Sequence, residues 1–224
     1  MATLLMRLAG PMQSWGTTSR FDERDTQLEP SKSGVLGLVC AALGRDRTEP
    51  VADLAALRMG VRVDREGVPM RDYHTATGVV ASSGKTDANR TVVSQRYYLS
   101  DAVFLVALEG ERELLAQIHD ALRAPNWPLC LGRKSFVPSR PVFMPDGLRD
   151  ASLLDVLGST SLLAEQDVRE KTRRRRVVIE DANEGTVRID QPIAPFSERR
   201  FGPRFVKTFD LELEVGDVSD TTDA

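Results

Sequence analysis

Residues 97–123 change hydrophobic period in mid-chain. YYLSDAVFLVAL (97–108) is an almost unbroken apolar run, which reads as a buried strand or a tight strand pair with a break at Ser100-Asp101. ERELLAQIHDALR (111–123) follows at once and places Leu114, Leu115, Ile118 and Leu122 on one face, with acids at its start and Arg123 at its end. That is an amphipathic helix. The same strand-then-helix order occurs at the N-terminus. Residues 2–8 are a short apolar strand ended by Gly10-Pro11. PSKSGVLGLVCAALG (30–44) then repeats Val35, Leu36, Val39, Ala42 and Leu43 at helical spacing, with Ser31 or Ser33 to cap it and Gly44 to end it. A short helix is expected at 53–59, a strand at 60–65, a helical patch near 151–164, and strands at 176–180, 185–190 and 204–215. The order is β-α-β, a long insertion, β-α-β, then mostly β. It predicts an α+β fold: a ferredoxin-like, RRM-type domain over 1–144, an insertion at about 75–95, a small β-rich domain over 145–215, and a disordered acidic tail over 216–224.

Gly34 and Gly37 lie inside the first helix, where each costs about 1 kcal/mol against alanine. Something must approach that backbone closely: a sheet or a ligand.

Composition narrows the class. The 224 residues are 41% hydrophobic, enough for a core, and no apolar run nears the roughly 20 residues of a membrane span. The N-terminus lacks the charged and apolar regions of a signal peptide, so a soluble cytoplasmic protein is expected. Two cysteines and two histidines, far apart, offer no zinc spacing. The net charge of −3 argues against a nucleic-acid partner only as an average. Six acids and no base fall within 210–224, and the chain without them holds 30 bases against 27 acids. Residues 169–207 carry eleven bases against six acids, including Arg173 to Arg176. A local basic groove is what a polyanion senses.

GVVASSGKT (78–86) resembles a phosphate-binding loop but fails the test. Five residues separate Gly78 from Gly84 where four are needed, no buried strand precedes, and no helix follows. The better reading is a long finger with Val79, Val80, Val92 and Val93 in strand conformation, and long ordered insertions usually carry function. His74 is either a general acid–base or, preferred, a contact at the finger's base. His119 receives no role. The helix start Ser31-Lys32-Ser33-Gly34 offers N–H groups, hydroxyls and a cation to a phosphate. The loop Leu131-Gly132-Arg133-Lys134-Ser135 offers the same mixture. Tyr97, Tyr98, Trp15 and Trp127 either stack bases or, more often for strand-end aromatics, pack in the core. The Arg173–Arg176 run is either a solvated strand edge or a nucleic-acid contact.

Six segments occur in the order and spacing of one family: LLMRLAGPMQSWG (4–16), PSKSGVLGLVCAALG, LRMGV (57–61), RDYHT (71–75), YYLSDAVFLVAL and LCLGRKSFVPSRPVF (129–143). Jointly they resemble the CasD (Cas-five) family of the subtype I-E CRISPR surveillance complex, Cascade, over residues 2–144 and more weakly beyond. The resemblance implies a RAMP-type fold with a β thumb and a small C-terminal domain. It also implies a non-catalytic, cytoplasmic, RNA-binding subunit in antiviral defence, without metal or cofactor. Such a subunit caps the repeat-derived 5′ handle of the CRISPR RNA (crRNA), packs beside the backbone (Cas-seven) subunits and contacts the large PAM-reading subunit. It meets target DNA only through the guide duplex. On this reading Lys85 and Arg90 reach phosphates from the thumb. Lys32, Ser33, Arg133, Lys134 and Ser135 grip the handle, and Arg71, His74, Arg96, Tyr97 and Arg140 complete the RNA-contacting set. In the subtype I-C branch the corresponding subunit is itself a metal-independent endoribonuclease with a Tyr/Lys/His set. Tyr73, His74 and Lys85 are present here, in no pattern that matches it residue by residue, so pre-crRNA cleavage stands as the alternative.

Overall fold

Two apolar runs lie side by side at the centre of the protein: β1 (Ala2–Ala9) pairs antiparallel with β7 (Val103–Gly110), Ala2 opposite Gly110 and Ala9 opposite Val103. The computed structural model describes residues 1–18, 22–80, 84, 90–164 and 174–213. β4 (Arg58–Arg65), β8 (Leu148–Arg149), β9 (Arg174–Asp181), β10 (Thr186–Pro192) and β11 (Phe201–Glu212) complete a seven-stranded sheet of order β10-β11-β9-β4-β7-β1-β8. Helix α1 (Lys32–Leu43) connects β1 towards β4, and α3 (Arg112–Arg123) connects β7 to β8. The inner unit β4-β7-β1-β8 thus has the strand order of a ferredoxin-like fold. β9 pairs with β4 from Gly60 opposite Ile179 to Arg62 opposite Val177. The C-terminal strands therefore continue the N-terminal sheet.

Alternation explains why these strands are apolar at almost every position. Leu4, Met6 and Leu8 of β1, and Phe104, Val106 and Leu108 of β7, face α1 and α3. Leu5, Leu105 and Ala107 face the other way, against Leu153, Val156 and Leu157 of α4 (Leu153–Ser159). A strand covered on both faces has no solvent side to keep polar. On the α4 side, a Cβ at Gly60 would lie 2.5 Å from a Leu153 methyl, so the helix rests on bare backbone. Arg62, fully buried, donates to Asp64 and to the carbonyls of Leu157, Thr160 (2.7 Å) and Ser161 (3.0 Å). Those bonds satisfy the end of α4, which stops at Ser159, short of the expected 164.

α2 (Ala52–Ala55) is a single turn, shorter than the 53–59 expected. The chain is claimed for the sheet at Arg58, which pairs opposite Glu109. The insertion is more regular than its sequence suggests. β5 (Val68–Thr77) and β6 (Thr91–Ser100) pair along their whole length, from Val68 opposite Ser100 to Thr77 opposite Thr91. β6 also carries two short strands on its other edge, β2 (Met12–Gln13) and, in parallel, β3 (Glu23–Arg24). Asp101, at φ 57, makes the expected break between β6 and β7.

Candidate nucleic-acid interface

The start of α1 is occupied by the protein's own carboxylates. Ser31 takes the N-cap position but its hydroxyl makes no capping bond. Instead Asp190, reaching from β10, accepts from the Lys32 backbone N–H at 2.8 Å. The Lys32 side chain is only 2% exposed, and its ammonium lies 2.9 Å from Glu180 and donates to the Ala55 carbonyl at 2.9 Å. Burial lowers its pKa, and Glu180 opposes that shift. Arg204 ties both acids together, at 3.2 Å from Glu180 and 2.6 Å from Asp190. The expectation that Lys32 offers its charge to a phosphate is corrected: the cation is spent inside the protein. Ser33, one residue on, faces outward into a groove.

That groove is built by two glycines. A Cβ at Gly34 would lie 2.8 Å from the Trp15 ring, which accounts for this helical glycine. Trp15 itself is 1% exposed and donates its indole N–H to Gln13 at 3.2 Å, so it is a core residue and not a stacking platform. Across the groove, the Leu131 N–H bonds the Phe136 carbonyl at 2.8 Å and the Phe136 N–H bonds the Arg133 carbonyl at 2.9 Å, closing a tight loop. Ser14 N–H donates to the Leu131 carbonyl at 3.1 Å. Gly132 sits at φ +91, and a Cβ there would fall 1.7 Å from the Ser14 carbonyl oxygen. Only glycine fits. Between α1 and this loop run two confluent cavities. One, of about 280 Å³, is bordered by Arg24, Ser33, Gly34, Gly132, Arg133 and Phe196. The other, of about 390 Å³, shares Ser33, Gly34, Gly132 and Phe196 and adds Gly37, Trp127 and Lys134.

Positive charge gathers at one end. β3 and β6 set Arg24 directly beside Arg96. The half-buried Arg133 donates to the carbonyls of Tyr97 (2.9 Å) and Arg24 (3.2 Å), with its guanidinium 5.4 Å from the centre of the Phe136 ring. Its pKa is pushed down by burial first and by Arg96 next, with Arg24 adding to the effect and Asp72 opposing it. An arginine stays ionised regardless, so the shift registers chiefly its burial, with two neighbouring arginines set against Asp72 and Asp25. Among the described residues, Arg24, Arg96, Arg133, Lys134 and Arg140 have no carboxylate within ion-pair distance.

The other expected contacts lie on the segment from Lys134 to Arg140 and along the β5–β6 hairpin. Lys134, Ser135 and Arg140 are exposed on or after the Gly132 loop. Arg71 is exposed on β5 and reaches Gln95 at 3.3 Å. Tyr97 stands opposite Arg71, and Tyr98 turns to pack on Phe136 at 5.8 Å. His74 lies 3.8 Å from Asp72 on the hairpin. Arg90 is exposed where the hairpin closes, its carbonyl accepting from Gly78 N–H. Lys85 lies outside the described residues, as does Arg173. The rest of the arginine run is divided: Arg174 is exposed, Arg175 is buried, and Arg176 bonds Glu29 and Glu66, both at 2.8 Å. Arg24 and Phe196 were not anticipated. Their signal is register and tertiary packing, which no local pattern carries. Among the described residues no cluster of three His, Cys, Asp or Glu is placed to hold a metal, and no helix is long and apolar enough to cross a membrane.

Known proteins match this arrangement over most of its length. A family model described as CRISPR-associated protein (Cas_Cas5) matches residues 3–207. The CRISPR system Cascade subunit CasD of Escherichia coli (strain K12) is 35% identical over 155 residues, which is 63% of this chain and 69% of that protein. A chain from a solved CRISPR RNA-guided surveillance complex superposes with a TM-score of 0.79 at 37% identity, covering 94% of this chain and 90% of its own. A crystal structure of a Cas protein gives a TM-score of 0.78 at 50% identity, covering 96% and 98%. The chain therefore belongs to the CRISPR-associated Cas5 family, in its CasD branch of the RAMP superfamily.

Proposed function

We propose that this chain is the crRNA-binding subunit that caps the 5′-handle end of a type I-E Cascade complex without cutting RNA. One observation carries the reading: cations from three separate elements, without an ion-pair partner among the described residues, converge on one groove at the base of an exposed β hairpin. Arg24, Arg96 and Arg133 form its phosphate-holding end, with Lys134 and Ser33 further along. The thumb, β5–β6, projects from the same site, with β5 exposed along nearly its whole length and β6 exposed over Thr91 to Val93. Beyond the short β2 and β3 it is two-stranded, a form that is marginal in water on its own, and it exposes Met70, Tyr73, Val92 and Val93. The crRNA and the neighbouring backbone (Cas-seven) and large PAM-reading subunits are its natural cover. Target DNA then meets the chain only through the guide duplex.

The nuclease alternative is disfavoured by register. Tyr73 and His74 are consecutive in β5, so their side chains leave opposite faces of the hairpin and do not share one phosphate. The test is binding of a labelled handle RNA by the assembled complex carrying Arg96→Ala with Lys134→Ala. Affinity is expected to fall, with a shallower salt dependence by about one unit of slope per lost phosphate contact. Unchanged affinity and slope would remove the groove from the RNA path. Metal-free cleavage of precursor RNA by the isolated wild-type chain would make it an enzyme.

A further inference from the structure

Gly34 is explained by Trp15, but Gly37 is not explained by packing at all. A Cβ built on Gly37 meets no heavy atom within 4 Å. A glycine inside a helix costs about as much as a lost methylene contact, and here nothing in the protein collects the return. What Gly37 borders is the 390 Å³ cavity, whose other apolar walls include Leu38, Ala41, Trp127 and Phe196. That volume lies in the range of small-ligand pockets, roughly 300–1,000 Å³. Trp127 is 46% exposed and yet fixed: its backbone N–H donates to the Ala41 carbonyl at 3.1 Å, and Asn126 donates to Ala42 at 3.0 Å. The backbone that carries the indole is thus anchored on the last turn of α1, and Trp127 borders the cavity. Two cations share the wall. Lys134 has no acidic partner among the described residues, and Arg47 donates to the Phe196 carbonyl at 3.1 Å. The acid nearby, Asp46, is engaged by the Thr48 N–H (2.9 Å) and hydroxyl (2.6 Å), and Arg45 is neutralised by both oxygens of Asp53. The two bordering thiols are neutral at pH 7, burial pushing Cys40 up to about 11 and Cys130 in the same direction.

We propose that this end of the groove is a slot for one unstacked nucleobase of the bound RNA, with Trp127 as its stacking platform, Lys134 on its phosphate and Gly37 setting its depth. A flat apolar wall beside an unpaired cation suits a base with its phosphate attached. Continuity with the arginine end, through Ser33, Gly34, Gly132 and Phe196, favours the same strand over a separate ligand. The inference rests on the RNA-binding reading above.

The test is a series of handle RNAs, each with one abasic nucleotide, bound to the assembled complex with wild-type, Gly37→Ala, Gly37→Leu, Trp127→Phe or Trp127→Ala chains. One abasic position should weaken wild-type binding on the order of tenfold. Affinity should fall with side-chain size at Gly37 while the melting temperature does not, and Trp127→Phe should retain more affinity than Trp127→Ala. In Gly37→Leu the sensitive abasic position should have no further effect. Additive effects, or no sensitive position, would overturn the slot. So would lost assembly with an unchanged abasic pattern, which would hand the cavity to a neighbouring protein's side chain. If Arg96→Ala/Lys134→Ala binding is unaffected, the RNA reading itself fails. If that binding falls but Gly37→Leu binds normally, only the slot fails.

Discussion

Replacing Lys32 separates a structural cation from an RNA-binding one. Lys32→Met keeps the aliphatic stem and removes the ammonium. Breaking a buried ion pair from one side costs about 3–5 kcal/mol when the partner is left uncompensated. Here neither partner is. Glu180 keeps Arg204 at 3.2 Å, and the Ala55 carbonyl keeps a bond from Gln191 at 2.7 Å. The cost should therefore fall to about 1–2 kcal/mol, near that of one or two ordinary hydrogen bonds. Arg204→Met is the harsher change, since it strips a donor from Glu180 and both charged contacts from Asp190, and should approach about 3–5 kcal/mol. Urea unfolding of the purified chain reads both values, and handle binding by the assembled complex at two salt concentrations reads the RNA side. Expected are a larger stability loss for Arg204→Met and an unchanged salt slope for Lys32→Met. A reversed order refutes the network. A Lys32→Met chain of full stability whose salt slope drops by about one would restore Lys32 to the phosphate.

Other positions give sharp contrasts. Gly132→Ala should cost at least about 2 kcal/mol, from left-handed backbone strain and the lost Ser14–Leu131 bond, and should shift Arg133 and Lys134 enough to weaken handle binding; a melting temperature within a degree of wild type would contradict it. Within one helix, Gly34→Ala should destabilise by crowding the rigid Trp15 ring, while Gly37→Ala should stabilise by up to about 1 kcal/mol. Calorimetry of the two variants decides whether they differ in sign. Asp181 has its pKa lowered to about 2, first by the Asn183 N–H, then by Lys207 and the Glu184 N–H. Its folded-state pKa is below the ordinary value near 3.9, so the stability it contributes is complete above about pH 4 and is lost as the pH falls toward 2. The melting temperature of Asp181→Asn should accordingly fall less steeply over that window than that of wild type.

The sheet's centre was legible because its determinants are local. The run through 103–108 and the 3.6-residue spacing of Leu115, Ile118 and Leu122 state strand and helix without reference to the rest of the chain. Gly44 likewise ends α1 in the left-handed conformation its position suggests, at φ 73. What was not legible is what depends on distant residues. Ser31-Lys32-Ser33-Gly34 reads as an anion site until Asp190 and Glu180, some 150 residues away, arrive to fill it. β2 and β3 are two residues each, too short for any period, yet β3 is what sets Arg24 beside Arg96. The hairpin was readable as a long insertion and not as two full strands, because its exposed residues lack the alternation that one buried face imposes.

Charge shows why counting along the sequence points to the wrong place. In the densest basic stretch, 169–207, five of the eleven bases are met by carboxylates among the described residues. Arg176 and Arg188 share Glu29, Arg204 holds Asp190 and Glu180, and Lys207 holds Asp181 and Glu184. The Glu29 pairs fasten β9 and β10 to the loop before α1, and the others hold β9–β11 to one another. The groove is sparser in sequence, drawing Arg24, Arg96, Arg133 and Lys134 from three elements; Asp25 borders it and Asp72 stands opposite Arg96, but among the described residues neither forms an ion pair with these four cations. A polyanion responds to uncompensated charge at short range, because charges more than about 8–10 Å apart in solution are screened. A chain of net charge −3 can thus present a groove in which arginines gather without forming ion pairs among the described residues. On the proposed reading, the exposed β5–β6 hairpin beside that groove lies across the same strand of RNA.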